Sequence, residues 1–363
     1  MSKTNLKMTI LATGILAVSL FFSACSGSGS KENKTSDATV QTLIGAGSSF
    51  DYTLFSKMFS DYHKNTGIQV NYQSVGSGAG ISQLTHKTVD FGASDAPMNA
   101  EQEQAAGGTV LHIPVTAGAV VLSYNLPNVK DTLKFAPSVL AGIFLGKITQ
   151  WNAPEIATLN PGIALPATHI VVAHRSDGSG TTNIFTDYLS KINEEWKSKV
   201  GTGTAVNWPV GLGGKGNEGV SGLIRQTPGA IGYIELAYAI QNNMPYAKLQ
   251  NKAGHFITPS IESVTAAADI EIPADGKISL TNTEAVAGYP IASFSWVLIY
   301  KEQQYKDNSQ AKAEQTIKLL DWMIHEGQKF SADLDYAPLS PAAVKTGEAL
   351  LKSATFNGAA ILK

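Results

Sequence analysis

A single cysteine, Cys25, stands in the 363 residues, so no disulfide framework holds this fold together. Seven histidines are present, yet none falls in a His-Glu-x-x-His or other ligand spacing, which leaves metal-assisted hydrolysis without support. An excess of positive charge is missing as well. The 27 basic residues face 29 acidic ones, a balance that argues against nucleic acid and against any general attraction for anions. An anion site, if present, must be local. No segment repeats at a fixed period, which excludes solenoids and propellers. Residues 211–219 read GLGGKGNEG, but a Walker pattern ending at Lys215 needs glycine where Pro209 stands and Ser or Thr where Gly216 stands. The nearest approach to a Gly-x-Ser-x-Gly elbow is at Ser179, where Asp177 replaces the first glycine.

A long apolar run does occur at residues 8–22, behind Lys3 and Lys7, and reads as an export signal spanning 1–24. It is short for a membrane span, and the polar SGSGSKENKTSDAT that follows is no stop-transfer flank. Cys25 comes directly after Phe-Ser-Ala, an arrangement that resembles the lipobox of bacterial lipoproteins, in which the cysteine is acylated. Phe22 departs from the usual leucine, and an ordinary cleavage site with an incidental cysteine is the alternative. Residues 25–40 hold almost no apolar side chain large enough to pack and are expected to form a flexible tether. The protein is thus expected to be lipid-anchored in the cell envelope, on the periplasmic side or the outer face of the cytoplasmic membrane. Removing residues 1–24 leaves 339 residues and takes the basic count from 27 to 25 against 29 acidic, a net charge of −4. That length exceeds what one core usually organises and suggests two lobes.

Short β-branched runs alternate with amphipathic helical windows, the pattern of an α/β protein. Strands are expected at 42–44, 69–73, 89–93, 110–114, 119–124, 170–173, 231–234 and 294–300. Leu54, Phe55, Met58, Phe59 and Tyr62 share one helical face. So do Ile184, Phe185, Tyr188, Leu189 and Ile192, and so do Ile317, Leu319, Leu320, Met323 and Ile324. These stripes are read as core.

Three turns share one chemistry: GAGSSF at 45–50, GSGAG at 76–80 and DGSGTT at 177–182. Each follows an expected strand and precedes an expected helix, the second of these at 81–86. A helix N-terminus offers unpaired N–H groups and the positive end of the helix dipole, both suited to an anion. Glycine allows close backbone approach and Ser or Thr adds a neutral donor. Any one such serine is as readily a plain N-cap; the recurrence is what carries weight, since open α/β sheets bind ligands at this edge. Arg175, beside the third turn, adds a planar donor for oxyanions, with an ion pair to Asp177 as its alternative role. His174 is read as structural.

Collinear segments extend this pattern: GAGSSF, NYQSVGSGAGISQ, VDFGASDAPM, IFLGKITQWNAPEIATLNPG, RSDGSGTTNIF, GKGNEGV and PGAIGYIE. On these the chain resembles the phosphate-binding proteins of bacterial high-affinity phosphate ABC transporters, over residues 43–339. The resemblance implies a two-lobed periplasmic-binding fold of type II, each lobe a mixed β-sheet flanked by helices, joined by a two-strand hinge. Lobe one would comprise 41–117 with 291–363, and lobe two 118–290. It implies inorganic phosphate held by Ser49, the amides of Ser49 and Phe50, Ser77, Arg175, Ser179, Gly180 and Thr181, with Asp177 steadying the arginine. Ser49 stands where threonine is common in the family.

Asp95 would accept a hydrogen bond from a phosphate P–OH, whereas fully ionised sulfate has no proton to give. Leaving a buried group unpaired can reject the wrong ligand by roughly 10⁴ to 10⁵; an N-cap or turn role before Pro97 is the alternative. Permease subunits and an ATPase would be the partners. The protein would act as a monomer, with no cofactor, no metal, no nucleic acid and no catalysis. The rival readings are a receptor for sulfate, molybdate or a phosphonate, and a related phosphatase or sulfatase using Ser49 or Ser179.

Overall fold

A computed structural model of the chain describes residues 41–362. The expected export signal at 1–24, Cys25 and the expected tether at 25–40 lie outside the described residues. In chain order the strands are β1 (Thr42–Gly47), β2 (Gln69–Ser74), β3 (Phe91–Ser94), β4 (Val110–Tyr124), β5 (Lys134–Phe135), β6 (Val171–Arg175), β7 (Leu212–Gly214), β8 (Ala230–Glu235), β9 (Lys248–Gln250), β10 (Phe256–Ile257), β11 (Ala292–Tyr300), β12 (Thr355–Phe356) and β13 (Ala359–Ala360). Eight of them form one sheet in the order β2-β1-β3-β11-β4-β8-β6-β7. The short strands β10-β9-β5 form a second sheet, and β12 pairs with β13.

The large sheet has two halves that share β4. In the first, β1 runs parallel to β2 and β3, while β11 lies antiparallel to β3 and β4. In the second, β4 is antiparallel to β8, and β8, β6 and β7 are parallel. The switch falls within β4: Ala119 pairs with Ala292 and the next residue, Val120, pairs with Glu235. The fold is therefore two-lobed α/β, with a mixed sheet in each lobe.

The expected strands at 110–114 and 119–124 are one strand of 15 residues, buried throughout. Pro114 has no N–H to give a ladder. The structure accommodates it where the register between β4 and β11 shifts, so that Ser295 faces Thr116 but Trp296 faces Pro114. A bulge of this kind suits proline and re-aims neighbouring side chains. Ser295 is the neighbour that matters below.

The helical stripes pack as their spacing implies. Helix Tyr52–Thr66 buries Leu54, Phe55, Met58, Phe59 and Tyr62, and stops at Gly67, whose left-handed φ of 75° lets its N–H reach back to His63. Helix Gly180–Ile192 buries Ile184, Phe185, Tyr188 and Leu189, while Ile192 is half-buried against the same core. Helix Gln310–Ile324 buries its five expected residues. Each such side chain contributes about 1.5–3 kcal/mol by leaving water. The first two of these helices begin just after the carboxyl ends of β1 and β6.

Candidate functional site

The turn after β1 runs through Ser48, Ser49 and Phe50 into helix Tyr52–Thr66. Its three carbonyls are each held by a tyrosine hydroxyl: Ser48 O by Tyr72 (2.7 Å), Ser49 O by Tyr238 (2.7 Å) and Phe50 O by Tyr336 (2.6 Å). The Phe50 ring lies against Gly118, where a Cβ would stand 2.6 Å from it. The Phe50 amide, expected as an anion donor, here donates to Ser48 Oγ at 2.9 Å. A serine two residues upstream of an N–H commonly folds back in this way.

The second turn differs from its expected form. Helix Ser77–Thr85 begins at Ser77, directly after Gly76 with φ of 93°, so the glycines at 78 and 80 lie inside its first turn. Close packing explains this. A Cβ at Gly80 would meet Gly47 Cα at 2.5 Å and Ala46 O at 2.7 Å.

The third turn follows Arg175, the last residue of β6, and leads to Ser179, the N-cap of helix Gly180–Ile192. Arg175 donates to both oxygens of Asp177, from Nε at 2.8 Å and Nη2 at 2.5 Å. Its Nη1 lies 3.4 Å from Thr181 Oγ1. Asp177 also accepts from the Gly216 amide at 3.1 Å. Burial works to raise the Asp177 carboxyl, but the hydrogen bond and charge of Arg175 outweigh it and hold it below the usual carboxylate range. Ser179 Oγ accepts from the Thr182 amide at 3.0 Å and retains its own hydrogen to give.

These turns meet. The Gly78 amide donates to Gly178 O at 2.9 Å, joining the second turn to the third. A Cβ on Gly180 would stand 2.5 Å from both Asp95 Oδ2 and Ser77 Oγ, and one on Gly76 would stand 2.3 Å from Asp177 Oδ2. Ser49, Phe50, Ser77, Asp95, Arg175, Ser179 and Thr181 are each at most 3% exposed, so the cluster is dehydrated. Gly180 is buried with them.

Asp95 follows β3. Its Oδ1 accepts from Ser48 Oγ and, at 2.9 Å, from Ser295 Oγ, and its amide donates to Ser77 Oγ at 3.3 Å. Oδ2 is the oxygen that faces Gly180. Burial raises this carboxyl to about 6, against the lowering effects of Ser48, Ser295, Arg175 and Ser77. Ser49 Oγ accepts from the amide and Nδ2 of Asn217 at 3.1 and 3.0 Å, and Nδ2 also reaches Thr181 Oγ1 at 3.2 Å. The cluster can thus present hydroxyls, amides and one guanidinium to a small anion, with the Asp95 carboxylate among them.

A family model for the PBP superfamily domain matches residues 32–326. The phosphate-binding protein PstS of Xylella fastidiosa is 47% identical over 311 residues, covering 85% of this chain and 84% of that one. The chain belongs to the PstS family. Its namesake from Methanocaldococcus jannaschii is 37% identical over 342 residues, 88% of each chain. The phosphate-binding protein of Stenotrophomonas maltophilia, a solved structure, shares the fold with a TM-score of 0.63 at 16% identity, over 84% of this chain and 92% of that one.

Sequence reasoning missed several PstS residues that shape the cluster: Ser48, Asp51, Asn217, Ser295 and the three tyrosines. Asn217 lies in GKGNEGV, a segment already singled out, but nothing in its spacing points 168 positions back to Ser49. His174, read as structural, stacks on Trp208 with ring centroids 4.9 Å apart. Among the described residues no group of three or more His, Cys, Asp or Glu could hold a metal, and no helix is long and apolar enough to cross a membrane.

Proposed function

We propose that this chain binds inorganic phosphate in the cell envelope and delivers it to an ABC-type importer, whose permease and ATPase subunits are its partners. The supporting observation is the setting of Asp95. One carboxylate oxygen is tied to two hydroxyls, and the other faces a dehydrated cluster of donors. Phosphate near neutral pH keeps one or two protons and can give one to Asp95 Oδ2. Sulfate would set oxygen against oxygen.

Ser49, Ser77, Ser179, Thr181, the Gly180 region and the free edge of Arg175 would supply the donors, each charge-assisted bond contributing about 1.5 to 3 kcal/mol. Asp177 already balances the arginine, so the grip rests on oriented dipoles more than on net charge. The lobes, with boundaries near 117/118 and 290/291, would hinge about β4 to close on the ion. Acylation at Cys25 and the tether at 25–40 would keep the monomeric protein near its permease.

Isothermal titration calorimetry with phosphate, sulfate, molybdate and a phosphonate tests this reading. Phosphate heat with sulfate silent is expected. Sulfate binding of equal strength, or turnover of a phosphomonoester, would overturn it.

A further inference from the structure

Ser295 Oγ lies 2.5 Å from Asp51 Oδ2 and 2.9 Å from Asp95 Oδ1. All three side chains are buried. A serine hydroxyl has one hydrogen to give. Two ionised carboxylates would both demand it, and one contact would press lone pairs together without water to separate them. Both contacts are hydrogen bonds only if one carboxyl carries a proton and donates it to Ser295, which then donates its own to the other.

The surroundings decide which carboxyl carries it. Asp95 Oδ1 also receives the Ser48 hydroxyl, and the Arg175 charge favours its ionised form. Asp51 has neither advantage. Its Oδ1 is buried without a partner. The titratable groups that face it are Asp95 after β3, Glu235 at the end of β8, and the hydroxyls of Tyr72, Tyr238 and Tyr336. Glu235 is itself buried, with Oε1 unpartnered and Asp335 beyond it. No cation is among them. An ionised Asp51 would be an uncompensated buried charge, while a neutral one costs far less.

We propose that Asp51 is a positioning residue for anion selection: a neutral acid that donates to Ser295 and thereby keeps Asp95 a fully satisfied acceptor, with Oδ2 turned to the ligand. The inference rests on the reading of the cluster as a phosphate site and adds a residue to its selectivity. Burial and the Asp95 charge push the Asp51 carboxyl well above the usual carboxylate range, against a lowering contribution from Ser295. Without this proton, Asp95 would have to supply one itself and would lose the charge that turns sulfate away.

The test uses the full chain. Asp51→Asn keeps the shape and an N–H for Ser295 but cannot ionise; phosphate affinity and the phosphate-to-sulfate ratio are expected within about threefold of the parent protein. Tightening of both anions by about tenfold or more would mean that a negative charge had been removed, and would overturn the proposal. Infrared difference spectra of parent against Asp51→Asn, taken at neutral pH without added anion, should show the carbonyl stretch of a protonated acid in the parent alone. Its absence would also overturn the proposal. Because that band needs no ligand, it separates failure here from failure of the phosphate reading. If Asp51→Asn does not fold, Ser295→Ala carries the test: the ratio should narrow by about tenfold and recover in Ser295→Thr, and an unchanged ratio in Ser295→Ala refutes the role.

Discussion

Replacing Asp95 with asparagine changes one atom of the side chain and should change which anion the site accepts. The structure dictates how the new amide sits. Ser48 Oγ and Ser295 Oγ both donate to Oδ1, so the amide oxygen must occupy that place and the NH₂ takes the place of Oδ2, facing Gly180. An acceptor becomes a donor, and a negative charge disappears. Two like charges about 4 Å apart at an effective dielectric of about 20 repel by about 4 kcal/mol. At about 1.4 kcal/mol per tenfold, relief of that repulsion tightens sulfate by about 10³. Phosphate gains a similar relief but loses one charge-assisted bond, about 1.5 to 3 kcal/mol, or about 10- to 150-fold. The phosphate-to-sulfate ratio should therefore fall by about 10- to 150-fold. Calorimetry with both anions, on protein whose circular dichroism matches the parent, reads the ratio directly. Sulfate remaining silent against the folded variant would refute the assignment of Asp95 as the discriminating group.

Selectivity should also depend on pH. Asp95 is raised to about 6, so its charge is present above that value and is lost as pH falls through it; competition by sulfate should appear below about 6 and vanish above. By linkage, keeping this buried carboxyl ionised costs stability as pH rises from its ordinary 3.8 through about 6. Gly180→Ala would place a methyl 2.5 Å from Asp95 Oδ2 and Ser77 Oγ, so the protein should fold with a loss of about 1–3 kcal/mol yet show no phosphate-induced rise in Tm. A rise equal to that of the parent would contradict the placement of the ligand. Asp177→Ala leaves the Arg175 side chain, 1% exposed, without its counter-charge. Urea melts should show a loss of about 3–5 kcal/mol, partly restored by added phosphate.

Much of the fold was legible because periodicity reports burial. The stripe from Leu54 to Tyr62 and that from Ile184 to Leu189 pack as their spacing implies. The 15-residue β4 was read as two strands, since the sequence does not show the bulge at Val115 that accommodates Pro114 within one strand. The start of helix Ser77–Thr85 was misplaced because its two glycines disfavour a helix locally, while the close approach of Gly80 to β1 and of Gly78 to Gly178 leaves room for nothing larger. In the cluster, residues next to glycine turns could be read from the chain. Ser295, 200 positions from Asp95, and Tyr336, 286 positions from Phe50, could not, because a hydroxyl in a buried strand or loop carries no local mark of its distant partner.

The three tyrosines that hold Ser48, Ser49 and Phe50 come from positions 72, 238 and 336. The first turn consequently takes its shape from the beginning, middle and end of the polypeptide at once. A peptide copied from it, or a fragment ending before Tyr336, would contain the right letters and lack the scaffold that orients them. Competence to capture an ion therefore requires the chain to have been made and folded through Tyr336.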